Sequence, residues 1–500
     1  MKYVSTRGNI HPVSSVEAIK MGMVPAGGLF VPEEIPSISI QQLEQWKDLS
    51  YSELATNIFS FFLENDFSEN EISSITRNAY NSENFDSNEI TPLKQLDDQL
   101  YIMELFHGPT GAFKDIALQA LPHILSGALE KLSITNQLII LVATSGDTGK
   151  AALEGFKDVP GTRIIVYYPF QMVSKIQELQ MLTTEGNNTH VVSVRGNFDD
   201  CQNAVKDIFT DKQFSDYLLE EGYEFSSANS INWGRLFPQI VYYFYAYLSL
   251  LKKKKIQLAE KINFTVPTGN FGNILAAWYA RKMGLPVEKL ICASNINKVL
   301  TDFFQNGIYD RNRHLISTIS PSMDILISSN LERFLFEISD HNEVAINYWM
   351  RNLQEKGNFK LEKTLKNKME EIVFAGYASE KETMNTIKKV YNQYQYLIDP
   401  HTAVGVKVFN DYKVLVQDNT KTVVDATASP FKFNQSVFTA LSGENNVKNM
   451  DELVLLQELS KYSGSPIPAN LQELTTKKIR HNLVYDKKDI RKSLQDILKI

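Results

Sequence analysis

Apolar positions along the chain fall into two rhythms. From Thr91 onward, short runs rich in Val, Ile and Leu alternate with longer stretches in which apolar residues recur every three or four positions. Residues 137–144, Gln-Leu-Ile-Ile-Leu-Val-Ala-Thr, are almost continuously apolar and read as a strand buried on both faces. Residues 147–156 read as the helix that follows. Residues 163–168, 190–194, 264–266, 290–293 and 422–425 read as further strands, with helical patterns between them. Such alternation predicts an α/β fold with mainly parallel twisted sheets, whose ligand loops lie at the strands' carboxyl ends.

Other stretches change this picture locally. Residues 1 to about 90 mix short apolar runs with helical ones such as 52–63. Within them, Pro25, Gly27, Gly28, Pro32 and Pro36 mark an irregular loop over 22–36. Residues 299–396 are mostly helical and charged, which predicts an insertion or subdomain. The expected division is therefore an N-terminal region 1–90, a large domain of 91–130 and 225–500 carrying that insertion, and a small α/β domain 131–224. The longest apolar run, 241–251, is about half a membrane span and ends in Lys252 to Lys255, which predicts a buried helix with a solvated C-terminus.

Composition narrows the chemistry. With 500 residues, 43% apolar and 22% charged, the chain has the profile of a soluble protein of two or three domains. A net charge of −7 supplies no basic patch for nucleic acid or anionic lipid and points to small-molecule partners. Cys201 and Cys292 cannot form a disulfide framework or a close Cys/His metal cluster, and the start of the chain lacks a signal peptide's apolar segment. A reducing, cytoplasmic location is the expectation. The eight histidines are scattered and none begins a His-Glu-x-x-His helix, so a metallohydrolase has no support and no metal is expected.

Four loops carry candidate chemistry. In Phe106-His107-Gly108-Pro109-Thr110-Gly111-Ala112-Phe113-Lys114-Asp115, a Gly-Pro turn leads into one lysine and an apolar helical run. A helix N-terminus and apolar surroundings disfavour an ammonium, which would make Lys114 a Schiff-base-forming amine; alone, it reads as a solvated lysine in the first turn of a helix, and the loops downstream change that reading. The loop Ala143-Thr144-Ser145-Gly146-Asp147-Thr148-Gly149-Lys150 has the donors of an anion cradle. It is no nucleotide P-loop. Thr144 stands where the first glycine belongs, and Ala151 where a magnesium-binding hydroxyl is needed. Thr268-Gly269-Asn270-Phe271-Gly272-Asn273 follows a strand and precedes a helix, and its glycines allow close approach of backbone to phosphate. Thr427 would present a hydroxyl at the end of the last strand. Taken singly, each of these three is also explained by turn and cap chemistry.

Together, a Schiff-base lysine, a phosphate cradle, an anion loop and a terminal hydroxyl suit pyridoxal phosphate and an amino-acid substrate. At these residues the chain resembles the threonine synthase family, of the fold-type II pyridoxal-phosphate enzymes that include the tryptophan synthase β subunit. The resemblance extends to Tyr3-Val4-Ser5-Thr6-Arg7-Gly8, Ala26-Gly27-Gly28-Leu29-Phe30-Val31-Pro32, Ser230-Ile231-Asn232-Trp233-Gly234-Arg235 and Asp399-Pro400-His401-Thr402-Ala403-Val404-Gly405. It implies that Lys114 carries the cofactor. Gly269, Asn270, Phe271, Gly272 and Asn273 would form the cofactor-phosphate loop, and Thr427 would be the partner of the pyridine nitrogen. Ser145, Asp147 and Thr148 would hold the substrate, and Asn232 and Arg235 its phosphate. The implied reaction is a carbon–oxygen lyase conversion of O-phospho-L-homoserine and water to threonine and phosphate, by a monomer or homodimer. The alternatives are a threonine-synthase-like phospholyase releasing 2-oxobutyrate and a non-catalytic metabolite-binding protein on the same scaffold. Three positions depart from the family pattern: Ser429 replaces a histidine, Phe431 a small residue, and Gly111 stands at a site that is often leucine.

Overall fold

The computed structural model describes residues 1–144 and 146–500 and is organised by two sheets. The larger has six strands in the order Val373–Tyr377, Val287–Ser294, Ile262–Pro267, Thr422–Ala426, Leu100–Glu104 and Leu93–Gln95, parallel except for the last pair. The smaller has five, all parallel: Leu483–Asp486, Thr189–Arg195, Thr162–Pro169, Gln137–Ala143 and Tyr223–Ser226. Residues 138–142 of Gln137–Ala143 are all buried, as a strand covered on both faces requires.

Each strand expected from the sequence is present, but Leu100–Glu104 and its antiparallel neighbour Leu93–Gln95 were not foreseen. Leu-Tyr-Ile-Met-Glu is too short to show a period, yet it is buried beside Thr422–Ala426. The 299–396 segment is largely helical, but it is more than an insertion. Its strand Val373–Tyr377 forms one edge of the larger sheet, and Ile308–Asp310 pairs antiparallel with Asn358–Lys360. The division at 225–500 also needs correction. Leu483–Asp486 covers the edge of Thr189–Arg195, and the helix Ile490–Leu498 buries Ile490 and Leu494 against Ile165, Val192 and Cys201, so the chain ends on the smaller sheet. Among the described residues no helix is long and apolar enough to cross a membrane.

The helix Lys114–Lys131 runs between the N-terminal helices and the helix Asp147–Phe156, and it carries Pro122 in its interior. Proline has no N–H, so the Leu118 carbonyl four residues earlier loses its helical partner. Gly155 sits over that carbonyl: a Cβ there would lie 1.9 Å from the Leu118 oxygen and 3.5 Å from Pro122 Cγ. The contact thus needs a residue without a side chain, and it fixes the crossing of the helices that begin at Lys114 and Asp147. Gly155→Ala should destabilise the protein by about 1–3 kcal/mol, because backbone must move to admit a methyl. An unchanged unfolding midpoint in denaturant would refute this account of the crossing.

Candidate active site

The lysine loop is wrapped around Asp115. This fully buried carboxylate accepts the Thr110 N–H at 2.9 Å and the Thr110 hydroxyl at 2.8 Å, and burial raises it to about 6. Gly108 packs so closely on it that a Cβ would lie 2.5 Å from Asp115 Cβ, and Gly111 takes φ +71°. The loop is then joined to the turn after Thr422–Ala426. Phe113 N–H donates to the Thr427 carbonyl at 2.9 Å, and Ser429 N–H donates to the Gly111 carbonyl at 2.9 Å. These two bonds bring Lys114 and Thr427 to one end of the larger sheet.

Lys114 Nζ lies 3.4 Å from Asp147 Oδ2 and 3.4 Å from Ser322 Oγ, with its side chain 12% exposed. Burial lowers its basicity; Asp147 opposes this, while Lys432 and Arg235 add to it. Asp147 begins the helix Asp147–Phe156. Burial alone would push its carboxyl up, but Lys432 at 2.8 Å and Lys114 hold it well below the usual carboxylate range. Gln177 Nε2 donates to Asp147 Oδ1 at 2.9 Å, and the fully buried Lys432 ammonium donates to the Thr110 carbonyl at 2.8 Å. Lys432, Gln177 and Ser322 were missed in the sequence, since only folding brings them to Asp147 and Lys114.

Around the anion loops, side chains divide into those already engaged and those with donors to spare. Thr144 Oγ1 accepts the N–H groups of Gly146 and Gly149 at 3.0 and 3.1 Å, which shapes the turn before Thr148, a half-buried residue of the helix's first turn. Ser145 lies outside the described residues. Asn273 donates to the Pro267 carbonyl at 2.9 Å and accepts from Thr268 at 2.6 Å and Ile274 N–H at 3.0 Å, so its side chain builds the loop. Phe271 takes φ +65°, and the helix Gly272–Lys282 starts directly after it with the unspent amides of a helix N-terminus. A Cβ on Gly269 would meet the Ser322 carbonyl at 2.8 Å, and the exposed Asn270 accepts at its carbonyl from Asn330. The Tyr243 hydroxyl lies 2.9 Å from the Asn273 carbonyl and 2.8 Å from Asp425 Oδ2. Burial raises Asp425 to about 8, and a protonated Asp425 lets both contacts be hydrogen bonds.

Asn232 is fully buried and its amide donates to the carbonyls of Ile19 and Ser227, at 2.9 and 2.7 Å. Its side chain is therefore spent on the loop that leads to Arg235. The buried Arg235 donates from Nη1 to the Ala228 carbonyl at 2.9 Å, while its Nε has no partner among the described residues. Burial lowers it to about 10.

These residues fit pyridoxal phosphate. A lysine of lowered basicity lies 3.4 Å from Asp147, a helix N-terminus with a side-chain-free Gly269 offers a phosphate cradle, and Thr427 is tied to the lysine loop. Comparison with known proteins agrees. The family described as threonine synthase N terminus matches residues 2–80, pyridoxal-phosphate dependent enzyme matches 84–424, and threonine synthase, C-terminal, matches 402–493. The threonine synthase of Saccharomyces cerevisiae is 37% identical over 92% of this chain and 93% of its own length. Threonine synthase-like 1 of Homo sapiens is 41% identical over 90% of this chain, which spans 61% of that longer protein. Among solved structures, the pyridoxal-phosphate-bound threonine synthase from Brucella melitensis is 37% identical with a TM-score of 0.88, covering 100% of this chain and 99% of that one. The yeast threonine synthase is 34% identical with a TM-score of 0.89, at the same coverage. The chain belongs to the threonine synthase family of pyridoxal-phosphate-dependent lyases.

Proposed function

We propose that the chain converts O-phospho-L-homoserine and water into L-threonine and inorganic phosphate. The observation that carries this reading is Arg235: a buried guanidinium, lowered by burial, with its Nε unpartnered among the described residues, close enough to Lys114 to depress its basicity. A phosphate-bearing substrate supplies the anion that such a group lacks.

Pyridoxal phosphate, when bound, supplies an aldehyde for amines and a ring that withdraws electrons from the substrate's carbons. The chain's residues do the rest. Gly269, Asn270, Phe271, Gly272 and Asn273 form the turn and helix start that would hold its phosphate, and the Thr427 hydroxyl would meet the pyridine nitrogen. Lys114, disposed by burial toward the neutral amine, takes protons from Cα and Cβ and returns one at Cγ and, after water has added, one at Cα, with Asp147 stabilising its charged form between transfers. The Asp147 charge is itself offset by Lys432, which leaves the helix start at Asp147 and Thr148, with Ser145, able to receive the substrate carboxylate. Arg235 holds the phosphate that departs, and water adds at Cβ.

Incubating purified protein with O-phospho-L-homoserine, while phosphate, threonine and 2-oxobutyrate are all quantified, tests the reading. Phosphate and threonine should appear in equal amounts. Phosphate accompanied by 2-oxobutyrate would reassign the chain to a phospholyase, and absence of phosphate release would remove the reading altogether.

A further inference from the structure

The motif Asp399-Pro400-His401 has no part in the mechanism above, yet it lies buried at the site. His401 Nδ1 is 2.6 Å from Asp399 Oδ2, and His401 Nε2 accepts the Ser322 N–H at 3.2 Å. Accepting at Nε2 places the ring's hydrogen on Nδ1, donated to Asp399. The carboxylate is held in turn by the N–H groups of His401 and Thr402, at 2.9 and 3.1 Å, and by the Thr402 hydroxyl. Asp399 is fully buried and His401 is 2% exposed.

What this buried pair grips is the turn Pro321–Met323, whose Ser322 Oγ is 3.4 Å from Lys114 Nζ. The turn is anchored on its other side as well. Asp324 accepts Thr318 N–H at 2.9 Å and the amides of Asn295 and Asn297 at 2.7 and 2.9 Å. It also presses on the cofactor loop, where the Ser322 carbonyl leaves room for no residue but glycine at 269. So much fixed geometry behind one half-buried serine calls for a reason.

We infer that Ser322 is a further active-site residue whose hydroxyl orients the Lys114 amine, and that the Asp399–His401 pair is the positioning device that holds Ser322 in place. This rests on the reading of Lys114 as the cofactor lysine. The chemistry favours a hydroxyl at this point. Asp147 can only accept, so it serves Lys114 in the ammonium form; a serine also donates, and so serves the lone pair of the neutral amine. A lysine that takes and returns protons needs a neighbour for both states. The charged groups facing it are Asp147, Lys432 and Arg235, none of which belongs to the Ser322 turn.

The test uses the holoenzyme and Ser322→Ala, Ser322→Thr, His401→Ala and the Ser322→Ala/His401→Ala double variant. Borohydride reduction and peptide mapping should find a pyridoxyl group on Lys114 in wild type and Ser322→Ala alike. Ser322→Ala should lower kcat about tenfold or more while changing KM by about twofold at most. It should also move the pH midpoint of the cofactor's absorbance by about half a unit or more. Ser322→Thr should keep the wild-type midpoint. His401→Ala should move it in the same direction as Ser322→Ala, and the double variant should move it no further. An unmoved midpoint with unchanged kcat in Ser322→Ala, or additive shifts in the double variant, would overturn the inference. A pyridoxyl group on another lysine would instead overturn the assignment of Lys114.

Discussion

Lys114→Ala should leave turnover of O-phospho-L-homoserine at least roughly 10⁴-fold below wild type, since one substitution removes both the attachment point of the cofactor and the base that moves protons. The loss should be chemical and not structural. The helix Lys114–Lys131 begins at this residue, and its register is set by Asp115, Thr110 and the bond from Phe113 to Thr427, none of which involves the lysine side chain. Removing the amine also leaves Asp147 with Lys432 as its partner at 2.8 Å, so no carboxylate is stranded. The unfolding midpoint should therefore stay near that of wild type, and a small primary amine added to the variant should recover part of the activity. Residual turnover of more than about 1% without added amine would show that proton transfer is carried elsewhere.

The frame was legible because it is locally encoded. A strand such as Gln137–Ala143 is an unbroken apolar run from Leu138, and the helix Asp147–Phe156 carries Ala152, Leu153 and Phe156 at helical spacing, so neither depends on distant sequence. Leu100–Glu104 was not, because five residues, four of them buried in a sheet where the neighbouring strands start at positions 93 and 422, carry no period of their own. The same distinction divides the site. Lys114, Asp147 and the 269–273 loop stand beside glycines and helix starts that mark them, whereas Lys432 and Ser322 reach the site from turns with no such mark. Asn232 sits in a recognisable string, yet only the fold shows its amide held by Ile19 and Ser227. The departures Gly111 and Ser429 proved to be neighbours: their backbones are hydrogen-bonded, and a Cβ on Gly111 would lie 3.5 Å from Ser429 Cβ. Two sites at which the resemblance led us to expect larger residues are both small here, across the contact that aligns Lys114 with Thr427.

Arg235→Ala and Arg333→Ala should part company, although both remove a buried guanidinium that burial lowers to about 10. Arg333 is spent: it donates to the carbonyls of Phe30 and Ile231 and to Asn330 Oδ1, at 2.8, 2.5 and 2.5 Å, and lies 5.8 Å from the Trp233 ring. It ties the N-terminal region to the loop before Arg235, so its loss should cost stability of about 3 kcal/mol, seen as a lower unfolding midpoint. Among the described residues Arg235 makes one side-chain bond, to Ala228, and its Nε has no partner. An unpaired buried cation opposes folding, so Arg235→Ala should leave the midpoint unchanged or raise it. Its cost should fall on catalysis, with kcat/KM for O-phospho-L-homoserine down about 10²–10³-fold, the worth of a buried charge-assisted contact of roughly 3–4 kcal/mol. Arg235→Lys keeps the charge but not the planar fork and should recover only part of this. Inorganic phosphate should raise the wild-type midpoint and leave that of Arg235→Ala where it was. Equal protection of both proteins by phosphate would place the substrate's phosphate away from Arg235, and with it the leaving group of the reaction.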